Sequence, residues 1–295
     1  FGAFNLTHTP STNHKLTLNI AAYRTDEEET FDIVSQYWLN DVDEEKNMGV
    51  GTYMEHARNF LQAEVNNVGL AFRTKITGHT LQAGVNWQNM RIRENANEWE
   101  MRDSMGYSLP YNPDQLQLIY SLKSKNSLTS NKIEGYLQDT WRFKSRLGLF
   151  NLTYGVRLTH WDWNGETLIS PRMSIALLPQ NDKLTFRFAT GVYYQAPFYK
   201  ELRQTIQDNN GVYRIHLNNQ LKAQRSYQLV LGSDYYFRAW GRPFKFTAEA
   251  YGKWIDRMES YTVDNVRVRY SGMNDSEGYS IGLDMKLMGE LVPGA

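Results

Sequence analysis

One pattern constrains this chain more than any other. Apolar and polar residues alternate at period two, and the pattern returns about eleven times. In the stretch 81–88, Leu81, Ala83, Val85 and Trp87 share one phase, and Gln82, Gly84, Asn86 and Gln88 share the other. The stretches 150–158 and 279–287 repeat it. Successive side chains of a strand point to opposite faces, so each segment has one greasy and one wet face. Long strands of this kind, joined alternately by short and long connections, are the signature of an outer-membrane β-barrel.

The periodicity predicts strands at Gly2–His8, Lys15–Arg24, Asn59–Thr74, Thr80–Arg91, Lys132–Phe143, Gly148–Thr159, Pro171–Leu178, Lys183–Tyr194, Ser226–Phe237, Pro243–Trp254 and Gly278–Leu287. Most have ten or more residues, and a tilted membrane strand needs roughly nine to eleven. One set of connections is short: Thr9–His14, Thr77–His79, Lys144–Leu147, Pro179–Asp182 and Arg238–Arg242. The other is long: Thr25–Arg58, Ile92–Asn131, His160–Ser170, Gln195–Arg225 and Ile255–Glu277. The two sets alternate, as in barrels with short turns on one side of the membrane and long loops on the other. Inside the last long connection, Thr262–Tyr270 alternates again and is expected to be part of a small hairpin above the membrane. The fold class is therefore all-β, an antiparallel up-and-down transmembrane barrel. A soluble sandwich or β-solenoid is the other reading of the pattern.

Composition fits. No apolar run approaches the roughly 20 residues of a membrane helix, and mean hydropathy is −0.59, which a barrel tolerates because half of each strand is wet. Aromatic residues reach 14%, with 19 Tyr and 8 Trp, enough for interfacial girdles. Absence of Cys removes disulfides, thiolate metal sites and Cys nucleophiles. Zero formal charge argues against a nucleic-acid binder. The chain starts at Phe1 without an initiator Met and stops in an expected turn at Ala295, which reads as an internal piece of a longer polypeptide.

Few residues suggest chemistry. The six His (His8, His14, His56, His79, His160, His216) lack metal-ligand spacing, and no nucleophile elbow or phosphate loop is present. No enzyme, cofactor or metal is expected. The acidic runs Asp26–Glu29 and 41–45 fit either a Ca²⁺ site or a solvated loop. The mixed run Arg91–Asp103 fits either a ligand-facing patch or a self-paired surface. Trp161-Asp162-Trp163 and Tyr193-Tyr194 fit either sugar or chelate stacking or an interfacial belt, with one of each pair facing inward. Gly84, Gly155, Gly191 and Gly282, on the wet face, admit close packing or ease curvature.

Several stretches carry a family resemblance: 49–59 (GVGTYMEHARN), 136–141 (YLQDTW), 170–172 (SPR), 191–202 (GVYYQAPFYKEL), 221–226 (LKAQRS) and 264–270 (DNVRVRY). Together they resemble the β-barrel of TonB-dependent outer-membrane receptors of the Bacteroidetes type, nearly end to end. The resemblance implies a 22-stranded, plugged barrel, of which eleven strands would be half. Residues 1–295 would then be part of one barrel domain, with the plug and the remaining strands outside this chain. It implies the cell outer membrane of a Gram-negative bacterium, contact with its lipid, and coupling to the TonB complex through the plug. It also implies import of a scarce nutrient (ferric chelate, cobalamin, glycan or peptide), and a surface lipoprotein as a partner in some members. A passive porin-like or adhesin barrel, and a soluble β-rich binding module, remain as other readings. Ligand contacts are expected near the outer rim at Arg91, Arg93, Trp99, Trp161, Trp163 and Tyr193. An open half-barrel has two unpaired edges, which lipid does not tolerate, so this piece is not expected to stand alone.

Overall fold

The computed structural model describes residues 1–41, 46–103, 116–181, 183–264 and 267–289. Its main feature is one antiparallel meander of eleven long strands. In chain order these are β1 (Gly2–Ser11), β2 (His14–Asp41), β3 (Lys46–Ile76), β4 (His79–Asp103), β5 (Gln117–Ser145), β6 (Gly148–Trp161), β7 (Glu166–Pro179), β8 (Leu184–Gln195), β11 (Gln224–Ala239), β12 (Arg242–Met258) and β15 (Ser276–Gly289). Each pairs with the next, and β1 and β15 are edges. Two small hairpins sit in the connections, β9 (Arg203–Gln207) with β10 (Tyr213–Leu217), and β13 (Tyr261–Asp264) with β14 (Arg267–Tyr270). All eleven strands expected from the alternation are present, and so is the hairpin within 262–270.

Register places the greasy phase of every strand in one continuous band. Val85 is opposite Leu70 on β3 and Gly135 on β5; Leu231 is opposite Phe188 on β8 and Ala250 on β12. These side chains remain open: Leu137 is 58% exposed, Leu231 53% and Leu283 59%. A surface this apolar and continuous suits hydrocarbon, not water. We call this face the outer one and its reverse the inner one. Near the short turns the outer face carries a girdle of stacked rings: His79 on Trp141 (5.6 Å between centroids), Phe143 on Phe150 (5.2 Å) and Phe237 on Phe244 (5.6 Å). The β11–β12 turn closes with both central residues at positive φ, Trp240 at 52° and Gly241 at 74°, a geometry whose twist matches a two-residue hairpin.

Two expected loops are not loops. Most of 25–58 and 92–131 is strand, because β2–β5 continue far past the apolar band. Paired residues continue up to Asp41↔Lys46 and Arg102↔Gln117. At about 3.3 Å per residue, the 31 residues of β3 reach about 100 Å, and only about a third of that spans a bilayer. Followed on one face alone, each apolar phase ends at this level, but the phase inverts there instead. On the outer face of β3, Phe72, Leu70 and Val68 give way to Asn66, Glu64 and Gln62, while Val65, Ala63, Leu61 and Ala57 take over on the inner face. On β4, Val85 and Trp87 point outward and Met90, Ile92 and Ala96 inward. A cross-strand row, Asn66, Asn89 and Asn131, marks the level of the switch.

Candidate functional site on the inner wall

Above the switch the inner face is greasy, and the chain itself covers it. The connection between β8 and β11, residues 196–223, folds back across β3–β6. Leu202, Tyr199 and Leu221 bury Ile92, Leu128 and Trp161, with Leu61, Ala63, Met90 and Trp163 packed around them. Ile215 of β10 packs on Ala96 and Leu122. Polar contacts fix the lid. The hydroxyl of Tyr199 donates to Glu94 Oε2 at 2.9 Å, and Arg203 Nε lies 3.3 Å from Glu94 Oε1. Burial, and then the negative charge of Glu94, push the Tyr199 hydroxyl well above its ordinary pKa, so it stays a donor. Ser124 Oγ receives the Ile215 N–H at 3.1 Å. The Asn274 side chain accepts from Lys222 N–H at 2.8 Å and donates to Lys222 C=O at 2.9 Å.

Below the lid, the inner faces of β4–β8 form an open polar basin lined by Gln82, Tyr136, Gln138, Arg157, Ser170, Arg172 and Tyr193. Its two guanidiniums lie over rings, Arg172 4.3 Å from the Tyr193 centroid and Arg157 5.9 Å from that of Tyr136. Cation–π contact orients a guanidinium while leaving its edge N–H donors free. Arg172 Nε is buried with no hydrogen-bond partner. Two bare glycines admit this packing: a Cβ at Gly84 would sit 2.5 Å from Tyr136 Cε1, and one at Gly191 3.1 Å from both Arg172 Cγ and Tyr193 Cε2. Further along, the wall neutralises itself. Asp234 meets Arg187 Nη1 at 2.5 Å, Lys245 Nζ at 3.3 Å and Thr247 Oγ1 at 2.7 Å. The arginine pair over β5–β8 is thus held by ring contacts, has no carboxylate partner among the described residues, and can meet an anionic or hydrogen-bonding ligand.

The residues proposed from sequence separate into three places. Tyr193 is in the basin. Trp161 and Trp163 are both under the lid, not one on each face: Trp161 is in the inner phase of β6, and positions two apart share a face, so the ring of Trp163 reaches the same side. Trp161 is 4% exposed and donates to Ser130 Oγ at 3.0 Å; Trp163 donates to Asn218 C=O at 3.3 Å. Arg91, Arg93 and Trp99 lie on the outer face above the apolar band. Arg93 donates to Gln62 Oε1 at 3.4 Å, and Gln62 donates to Asp26 at 2.8 Å. Trp99 stacks on His56, 4.9 Å between centroids. Arg91 is exposed in the row Arg24–Glu64–Arg91. Alternation sends Asp26 and Glu28 outward and Glu27 and Glu29 inward, so these four carboxylates do not converge. The second acidic run lies largely outside the described residues. Sequence reasoning missed Arg157, Arg172, Tyr136 and Gln138, although all occupy the wet phase of spanning strands and three lie in the stretches 136–141 and 170–172.

The family of TonB-dependent receptor-like β-barrels matches residues 1–289. The chain belongs to this family. No curated protein matches it significantly. Among solved structures, it is similar to the FpvAI–pyocin S2 complex, with TM-score 0.59, 12% identity, and coverage of 98% of this chain and 38% of that one. It is also similar to the RagAB peptide transporter, with TM-score 0.57, 10% identity, and coverage of 99% and 34%. At these identities the likeness concerns the fold. The first solved structures it resembles are two to three times longer, the chain covering 33% and 49% of them.

Proposed function

We propose that this chain is half of the wall of an outer-membrane receptor that takes up a scarce nutrient by TonB-coupled transport. The observation that carries the reading is the arrangement of the two faces. The outer face carries a continuous apolar band with an aromatic girdle, and the inner face carries a polar wall capped by a folded-in segment. A lumen reached past a lid, with unpaired guanidiniums on its wall, is suited to capture and not to catalysis, and no catalytic role is assigned to this chain. The ligand would meet Arg157, Arg172 and Tyr193 after passing the lid; charge and ring contacts suit an anionic or polar, partly flat solute. The names of the structural neighbours mention a peptide transporter and a pyocin complex, and they do not choose the solute for this chain.

The test is growth on candidate nutrients, and uptake of radiolabelled ones, by cells carrying the complete receptor. Cells lacking TonB, cells with residues 203–217 deleted, and cells with R157Q/R172Q are compared. The expected result is loss of uptake without TonB and in both variants, with the barrel still assembled. Uptake that persists without TonB, together with steady single-channel conductance, would support a passive pore instead.

A further inference from the structure

The lid has a second fastening, built around one glycine in the connection between β12 and β15. Gly272 sits at φ 75°, and a Cβ there would run into the Gln204 side chain of the lid. Its C=O accepts from the Asn218 side chain of the lid at 2.8 Å, and its N–H donates to Glu259 Oε1 at 2.6 Å. Two residues on, Asn274 holds both the N–H and the C=O of Lys222 in the lid, and donates to the Arg257 C=O at 2.7 Å. Arg257 itself is at φ 57°, a left-handed backbone that a non-glycine residue keeps only while its surroundings hold it.

Glu259 lies in this seam with nothing to balance a charge. Its Oε2 is buried without a hydrogen-bond partner; the chain's own atoms enclose it, so no segment beyond this chain reaches it. The charged groups that act on it are Glu201 from the lid and Asp275 from the approach to β15, and both oppose its ionisation. Asp275 stays charged because Ser260 donates to both its oxygens, at 3.1 and 3.0 Å. From β14 comes Tyr270, whose hydroxyl is pushed up by burial and by Glu201 and Glu259. Arg257 turns away, toward Glu166 at 3.8 Å.

We propose that residues 259–275 are a proton-operated latch on the lid: with Glu259 neutral, Gly272 and Asn274 hold the lid shut, and with Glu259 ionised the seam parts and frees it. Burial first, then Glu201 and Asp275, push the Glu259 carboxyl up to about 7, and an opened seam returns it toward 4.5. The group is raised in the closed state. Its support for closure is therefore full below about 4.5, weakens as pH rises, and is gone above about 7. The inference rests on the contacts of the lid and not on what the barrel carries.

The test is a pulsed electron-spin distance measurement on the complete receptor in detergent, free of other cysteines. Nitroxides are placed on N210C, at the exposed tip of the lid, and on T129C, on the exposed outer face of β5. The expected result is one short distance at about pH 4.5 and a second, longer one that grows with pH. The ratio of open to closed should rise about tenfold or more by about pH 8, no more steeply than about tenfold per pH unit, as one proton dictates. Heat-modifiable gel mobility, unchanged over this range, separates lid opening from unfolding of the barrel. E259Q keeps an acceptor for Gly272 but cannot ionise, and should stay closed at about pH 8. N274A, which removes both bonds to Lys222, should already populate the long distance at low pH. Identical distances at both pH values would overturn the proposal. So would opening with pH that persists in E259Q, or an N274A lid as tightly shut as the unaltered one.

Discussion

Leu202 is the keystone of the lid, and removing it should release the lid without dissolving the barrel. Its side chain is fully buried among Ile92, Leu128, Trp161, Tyr199 and Leu221. Leu-to-Ala substitutions in cores cost about 2–5 kcal/mol, with the larger values where the cavity cannot collapse. Here the wall of the cavity is a hydrogen-bonded sheet, which holds Ile92 and Leu128 in place through the β4–β5 register. We therefore expect the upper part of that range, about 3–5 kcal/mol, in L202A. The affected unit is residues 196–223, which opens locally. Amide exchange in β9 and β10 should then accelerate by about 150-fold to about 5000-fold. The amides of β6–β8 within the apolar band should keep their protection. Hydrogen exchange read by mass spectrometry on the complete, detergent-solubilised receptor measures both. Unchanged exchange in 203–217, or equal acceleration in the lid and the barrel strands, would refute the claim that the lid is a separate unit held by this cluster.

Glu259, in the β12–β13 connection, has its pKa pushed up to about 7 by burial, with Glu201 and Asp275 adding to the shift. A carboxyl raised this way stabilises the fold below its ordinary pKa, near 4.5, and that contribution is lost as pH rises through about 7. Proteolysis of 255–277 should therefore quicken between pH 5 and pH 8, within roughly the range where such a group titrates, and E259Q should flatten the profile. Asp139 is 7% exposed, receives the Tyr154 hydroxyl at 3.1 Å and lies 2.7 Å from His79 Nδ1. D139A strands both partners and should cost about 1–3 kcal/mol, read as a lower midpoint in heat-modified gel mobility; an unchanged midpoint counts against the interaction. At Gly84, G84A forces the Tyr136 ring aside and should cost about 1–3 kcal/mol. In a double-mutant cycle with Y136A most of that cost should vanish, and simple additivity would show that the two do not touch.

The spanning part of the sheet was legible from period two alone because its two faces meet solvents of opposite polarity, hydrocarbon outside and water inside. The eleven strands follow from that contrast. The upper halves of β3–β5 resemble loops in sequence because they meet water outside and the lid inside, which reverses the contrast. The signal was present, in the passage from Val68, Leu70 and Phe72 to Ala57, Leu61, Ala63 and Val65, but it requires following the phase as well as the period. The candidate site was half legible. Tyr193 could be placed by alternation. Trp161 and Trp163 stand out in sequence as a rim pair, but their role in holding the lid does not, since no local pattern announces that Tyr199, Leu202 and Leu221 return to cover them. Arg157 and Arg172 are two charges among many in the wet phase, and only the rings beneath them distinguish these two.

The inversion of phase along β3–β5 has a consequence for how such proteins diversify. The lid and the upper strands share one core, so neither can change its packing residues without the other, while the band below packs against nothing of the lid. A lineage that exchanges residues 196–223 by recombination must carry 61–63, 90–96, 122–128 and 161–163 with it, or inherit an ill-fitting cap on an intact barrel. Inheritance should therefore sort these separated segments as one block, drifting independently of the membrane-facing positions between them.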